Sequence, residues 1–161
     1  MRIGLRIFLG YFLIVGLAGF FVMRVFVNEV KPGVRQAMED TLVDTANALA
    51  QLATPDLREG RIATGQFAQS IDALVQRDVR AQIWTFRKQS FDYRIYVTDA
   101  RGIVVYDSAR QAVGKDYSRW NDVYLTLRGE YGARSTLSDP GDKSSSVMYV
   151  AAPIRNGETI I

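Results

Sequence analysis

From Ile7 to Met23 no residue is charged, and past Arg24 the apolar run goes on through Val25, Phe26 and Val27. About 20 residues in a helix rising about 1.5 Å each cross a hydrocarbon layer of about 30 Å. The pattern therefore predicts a transmembrane helix over residues 7–27, a short segment 1–6 before it and an exterior domain over 28–161. Arg24 stands one turn from the far end, where its side chain reaches the headgroups. A cleaved secretory signal is the competing reading, with Gly16 and Ala18 before the cut, but Phe20, Phe21 and Val22 carry the apolar run beyond that site. Gly16 and Gly19 would allow close helix packing, although their spacing is not GxxxG.

Beyond the membrane segment the pattern becomes helical. Pro32-Gly33 punctuates the membrane exit; Val34, Met38, Leu42, Ala46, Leu49 and Ala53 then recur at helical spacing, and Thr54-Pro55 is expected to end this first helix. A second helix runs from about Gly65 to Arg77, with Phe67, Ile71, Leu74 and Val75 on one face. The period then shortens to two. Tyr93–Thr98 and Ile103–Tyr106 read as a hairpin around Asp99-Ala100-Arg101-Gly102. A loop opens at Gly114 and Asp116, and Ser118–Leu127 forms a short helix that Gly129 ends. Tyr131–Leu137 and Val147–Ile154 are two more strands, joined by the polar turn Ser138–Lys143. Asn156-Gly157 signals a further hairpin, of which so little follows that the expected chain is the N-terminal part of a longer protein. The order describes a mixed α/β (α+β) domain with an antiparallel sheet.

Composition restricts the chemistry. The 161 residues include no cysteine and no histidine, so thiolate nucleophiles, Cys zinc sites, Ser-His-Asp triads and a phosphohistidine cannot arise within them. The net charge of +3 is a topology signal: Arg2, Arg6, Arg24 and Lys31 against Glu29 account for all of it and leave the rest neutral. Arg2, Arg6 and the terminal amine hold the N-terminus in the cytoplasm, which places the domain outside. Lys and Arg interleave with Asp and Glu throughout the body, which argues against nucleic acid as a partner.

Few side chains suggest chemistry. Gly114-Lys115 lacks the earlier glycine of a phosphate loop, because Ala109 stands there. Asp139 and Asp142 lack the alternating acidic pattern of a calcium loop. Asp99, Asp107, Asp116 and Asp122 sit at strand ends and turns, where aspartate satisfies backbone donors. Arg134 is the best binding candidate: strand alternation puts it with Thr136 on one face, and if the loop with Ser118, Arg119 and Trp120 covers that face, an arginine fork under an aromatic lid suits a carboxylate or other small anion. Tyr149 on the neighbouring strand completes a tentative ligand set of Arg119, Trp120, Arg134 and Tyr149; an exposed strand arginine is the plain alternative. No catalytic residue and no metal ligand is expected.

Several longer stretches carry a resemblance. Glu29–Arg35, Val97–Ala100, Asp116–Val123, Leu125–Gly129, Tyr131–Leu137 and Ser145–Ile154, with Met1–Gly4 and Leu9–Phe12, closely resemble the N-terminal region of the Cre-type, carbon-source-responsive sensor histidine kinases of bacterial two-component systems; Leu57–Phe91 matches weakly. The resemblance implies a homodimeric kinase of the bacterial inner membrane with a periplasmic, PAS-like domain of the Cache kind, dimerising through the membrane helix and the first sensor helix. It also implies a kinase region outside this chain that uses ATP and Mg, autophosphorylates on histidine and passes the phosphate to a response regulator. A membrane-anchored exterior enzyme or binding module without kinase output is the alternative, and a chemoreceptor or cyclic-nucleotide synthase output the nearest rival within the receptor reading. On the receptor reading, a stimulus at the sheet and the loop Gly114–Gly129 would shift the helix Val34–Ala53 and so the membrane span.

Overall fold

A computed structural model describes residues 3–142 and 145–161. Met1, Arg2, Lys143 and Ser144 lie outside the described residues, and with them the part of the topology signal carried by Arg2 and the end of the polar turn at Lys143. The chain divides into two compact units, Met1–Thr41 and Leu42–Ile161.

In the first unit, α1 (Ile3–Val25) is followed without a break by five residues in π geometry, Phe26–Val30, and by the start of α2 (Lys31–Arg58). Residues 3–30 are exposed throughout. An apolar helix of 23 residues, about 35 Å long, is long and apolar enough to cross a membrane. The expected break at Pro32-Gly33 does not occur. Pro32 offers no N–H, and its ring crowds the carbonyl one turn back at Asn28; the π turn widens the main chain there and lets the helix run through.

In the second unit, α2 also continues past Thr54-Pro55, to Arg58. Pro55 removes one hydrogen bond a single turn from the helix end, while Ala50, Ala53 and Asp56 on the inner face are buried and keep that turn in place. Leu49, Ala53 and Leu57 pack against Phe67, Ala68 and Ile71 of α3 (Gln66–Val75) and against Val97 and Tyr106. Val34 and Met38, expected on the same stripe, are exposed.

The α2–α3 corner depends on a single carboxylate. Gly65 has no side chain to cap α3; instead Asp56, at the end of α2, accepts a hydrogen bond from the Phe67 N–H at 2.7 Å. Asp56 is 4% exposed and lies where a Cβ on residue 65 would be. Glycine is required here for space, since its φ of −77° is open to any residue.

The strands form four two-stranded antiparallel ladders among the described residues, in place of the expected single sheet. The first, β1 (Ala81–Ile83) with β2 (Phe86–Lys88), turns at Trp84-Thr85 in a region where the sequence pattern showed no strand. β3 (Tyr96–Thr98) pairs with β4 (Val104–Asp107), confirming the hairpin around Asp99–Gly102. The register slips at Val105, so Val104 and Tyr106 face opposite sides. Tyr106 joins the α2–α3 core, and Val104 a second cluster with Ala112, Tyr117 and Val123. Val123 belongs to α4 (Asn121–Thr126), shorter than the expected Ser118–Leu127.

β5 (Gly132–Leu137) pairs with β6 (Ser146–Ala151), Arg134 opposite Tyr149. A Cβ at Gly132 would collide with the Asp122 carbonyl and the Thr126 hydroxyl, which shows how closely α4 lies on β5. In the last ladder β7 (Arg155–Asn156) pairs with β8 (Thr159–Ile160). The turn is therefore one residue later than expected: Asn156 is in the strand, and Gly157, at φ +61°, takes the first central position, the requirement of a type II′ turn.

Gly65→Ala is expected to cost as much stability as Asp56→Ala, about 1–3 kcal/mol, because each evicts the same carboxylate from the same donor. The double variant should cost little more than either single one. Urea unfolding followed by circular dichroism measures all three, and simple additivity would contradict a shared mechanism.

Candidate functional site

A cavity of about 380 Å³ opens on the α4 side of β3 and β5, lined by Arg94, Tyr96, Tyr117, Trp120, Arg134, Thr136 and Tyr149. Of the four residues expected from sequence, Trp120, Arg134 and Tyr149 meet there. Arg119 does not: it is exposed and its charge acts on Asp116 at the surface. The loop carrying both residues can turn only one of two consecutive side chains inward, and the stacking of Trp120 on Tyr117, at 3.7 Å between ring centroids, selects the tryptophan.

Arg134 is not an exposed strand arginine; its side chain is 16% exposed. The guanidinium lies between two rings, 4.0 Å from the Trp120 centroid and 4.2 Å from that of Tyr149. Direct pairing of residues 134 and 149 in the ladder brings Tyr149 against it, and the turn before α4 brings Trp120. With both faces covered, only the edge of the guanidinium can hydrogen-bond. Its Nε donates to Asp122 Oδ1 at 3.0 Å, while its buried Nη2 has no hydrogen-bond partner among the described residues.

Asp122 is fully buried. Its second oxygen accepts from the Tyr96 hydroxyl, so both carboxylate oxygens are engaged. Burial and the Asp122 charge push the Tyr96 phenol far above its usual range, which keeps its proton in place as donor. Burial works against the Arg134 cation, but the bond to Asp122 outweighs it and the guanidinium holds its proton more firmly than usual.

A second pair borders the cavity. Arg94 donates to Asp107 through Nε at 3.0 Å and Nη2 at 2.7 Å. The backbone N–H groups of Ala109, Gln111 and Ala112 donate to the same carboxylate at 3.1, 2.9 and 2.9 Å. Burial pushes the Asp107 carboxyl up, yet Arg94 and the three amides prevail and hold it at about 2. Asp99 likewise accepts from the N–H groups of Arg101 and Ile103, and Asp116 from that of Ser118. These three aspartates do the backbone work expected of them. Asp122 departs from it, since its partners are Tyr96 and Arg134, far away in sequence.

The site is an aromatic box with two arginines, each already matched by an aspartate. Its charge is balanced, and its free polar feature is the Arg134 edge at Nη2. A small molecule bearing an acceptor can use that donor directly. Sequence reasoning missed Arg94 and Tyr96 and gave Asp122 a backbone role; the period-two alternation of Tyr96 was the available signal.

Arg134→Ala is expected to destabilise the domain by roughly 3–5 kcal/mol, because it leaves the Asp122 carboxylate buried without a cation. Asp122→Leu combined with Arg134→Met should be milder than Arg134→Ala alone, and thermal unfolding ranks the variants.

The pH dependence follows from Asp107. Its carboxyl is held at about 2 in the fold, against an ordinary 3.8. The resulting stability is complete above about pH 4 and is lost as pH falls towards 2. Removing the guanidinium in Arg94→Met should move acid unfolding, monitored by tryptophan fluorescence, to higher pH.

No protein-family model and no solved structure matches this chain. It is 59% identical over all 161 residues, its whole length, to "Sensor protein CreC" of Escherichia coli (strain K12). It spans 34%, about a third, of that protein's length. Over its entire length the chain is therefore similar to the N-terminal part of that sensor protein.

Proposed function

We propose that the chain is the input region of a membrane-bound two-component sensor histidine kinase, and that the cavity around Arg134 is where the stimulus acts. The observation that carries the kinase reading is the 59% identity over the whole chain to the sensor protein CreC. The apolar, unpacked helix α1 supports membrane anchorage. In this reading the unit Leu42–Ile161 is a PAS-like domain of the Cache kind on the periplasmic side, and the protein is a homodimer associating through α1 and α2. Autophosphorylation on histidine with ATP and Mg, and transfer to a response regulator, belong to regions outside this chain.

A ligand shifts the balance between two signalling states only if it binds one of them better. The Arg134 edge provides such a difference. With Asp122 as its partner, Arg134 ties β5 to α4 and, through Tyr96, to β3. An incoming carboxylate that takes the guanidinium loosens that tie. The core around Val97, which shares β3 with Tyr96, includes Leu49 and Ala53 of α2, so movement of β3 reaches α2 within the same unit.

Trp120→Ala in the full-length protein tests this reading, because it opens the lid without stranding a buried charge. Autophosphorylation in membrane vesicles is compared with and without the inducing condition. The expected result is at least a tenfold loss of the induced difference, about 1.4 kcal/mol of coupling, with uninduced activity retained. An unchanged response would remove the cavity from the signalling path.

A further inference from the structure

The β1–β2 hairpin ends in a turn whose residues do not suit its backbone. Ile83 pairs with Phe86, so the loop has two residues, Trp84 and Thr85, and Trp84 takes the first central position at φ +53°. In a type II′ turn that position favours glycine, because a side chain is strained at positive φ. The Trp84 side chain is 95% exposed, so no packing within the chain offsets the strain. Gln82 steadies the turn, its side-chain amide donating to the Trp84 carbonyl at 2.8 Å. An outlier that the fold does not need points to a role outside the fold.

The neighbours of Trp84 share its exposure. Ile83 and Phe86, directly opposite each other and so on one face of the ladder, are 50% and 62% exposed. Lys88 follows Phe86 on that face, while Gln82 and Arg87 form the other. From Arg77 to Lys88 four basic residues stand against one acid, Asp78, within a body whose charges balance overall. Arg77, Arg80 and Arg87 are all exposed. An apolar, aromatic tip flanked by arginine and lysine is the chemistry of a membrane–water interface, where the rings sit at headgroup level and the cations meet phosphates.

Size and charge select a lipid over a protein occupant. Three such side chains offer roughly 400 Å² of surface, about half of what each partner contributes to a stable protein interface. A patch that small binds a bilayer only weakly from solution, but a chain anchored in that bilayer is held at a high effective concentration beside it. We infer that the β1–β2 hairpin docks on the surface of the bilayer in which the chain is anchored, with Trp84, Ile83 and Phe86 among the headgroups of anionic phospholipids and Arg80, Arg87 and Lys88 on their phosphates. This docking rests on the proposed anchorage through α1. It gives the domain a second, reversible attachment to the membrane, which strengthens with the anionic lipid content and weakens with salt.

A nitroxide spin label at Thr85→Cys, which leaves Trp84 in place, tests the docking in the full-length protein reconstituted into vesicles. Residues 1–161 contain no cysteine, and any elsewhere is replaced. Relaxation of the label by oxygen, which concentrates in lipid, is compared with relaxation by a water-soluble nickel chelate. In vesicles of phosphatidylglycerol and phosphatidylcholine, the expected oxygen-to-nickel ratio at residue 85 is several-fold above that of the same label at the exposed Glu130→Cys. In phosphatidylcholine alone, or at high salt, the ratio should fall towards the Glu130→Cys value. Trp84→Gly combined with Phe86→Ser should abolish the difference, while Trp84→Gly alone leaves the Tm unchanged or raises it, because glycine relieves the strained φ. A label at Leu13→Cys in α1 reports anchorage separately. An aqueous reading at Leu13→Cys would overturn the anchorage and the docking with it, whereas lipid at Leu13→Cys and water at Thr85→Cys would overturn the docking alone. Shielding of residue 85 from both oxygen and nickel would place the tip against a second copy or another protein and also refute a lipid partner. Lipid contact that survives Trp84→Gly with Phe86→Ser would refute the assignment to these side chains.

Discussion

The buried carboxylate of Asp122 joins three elements. It sits in the first turn of α4, receives the Tyr96 hydroxyl from β3 and the Arg134 Nε from β5, and lies beside the close approach of α4 to Gly132. If one of these partners moves, a charge is left buried without compensation, so α4, β3 and β5 keep their places together. The aromatic box is a product of that tie: Arg134 is drawn inward, and Trp120 and Tyr149 close on its two faces.

Asp56 and Asp107 act in the same way at other joints. Asp56 fixes α3 to the end of α2 where glycine leaves it room, and Asp107 gathers Arg94 and three amides of the loop after β4. The apolar clusters they connect are small, one on each side of β3–β4. A domain with so modest a core gains geometric definition from polar joints, and it also gains sensitivity. A hydrophobic cluster tolerates small displacements, whereas a buried ion pair has a steep, directional energy and responds to a competing anion.

Much of the local structure was legible in the residues. The uncharged run from Ile7 to Met23, the β3–β4 hairpin around Asp99–Gly102, α3, and the alternation placing Arg134 with Thr136 all follow from periodicity, which reports local geometry directly. The errors fell where two local rules compete or a distant group intervenes. Pro32 and Pro55 read as helix ends, but a π turn accommodates one and buried neighbours hold the last turn around the other. Arg119 and Trp120 were equal candidates until the ring of Tyr117 was known to lie against the tryptophan.

By itself the sequence determined the apolar span, the helix and strand periods, the location of the net charge and the chemistry that absent cysteine and histidine rule out, because each depends only on composition or on neighbours along the chain. The tertiary structure alone decided which aspartate meets which arginine, and that Gly65 and Gly132 make room for groups from other elements. Those relations join residues on different elements, six or more positions apart, and local periodicity has no term for a partner beyond the element.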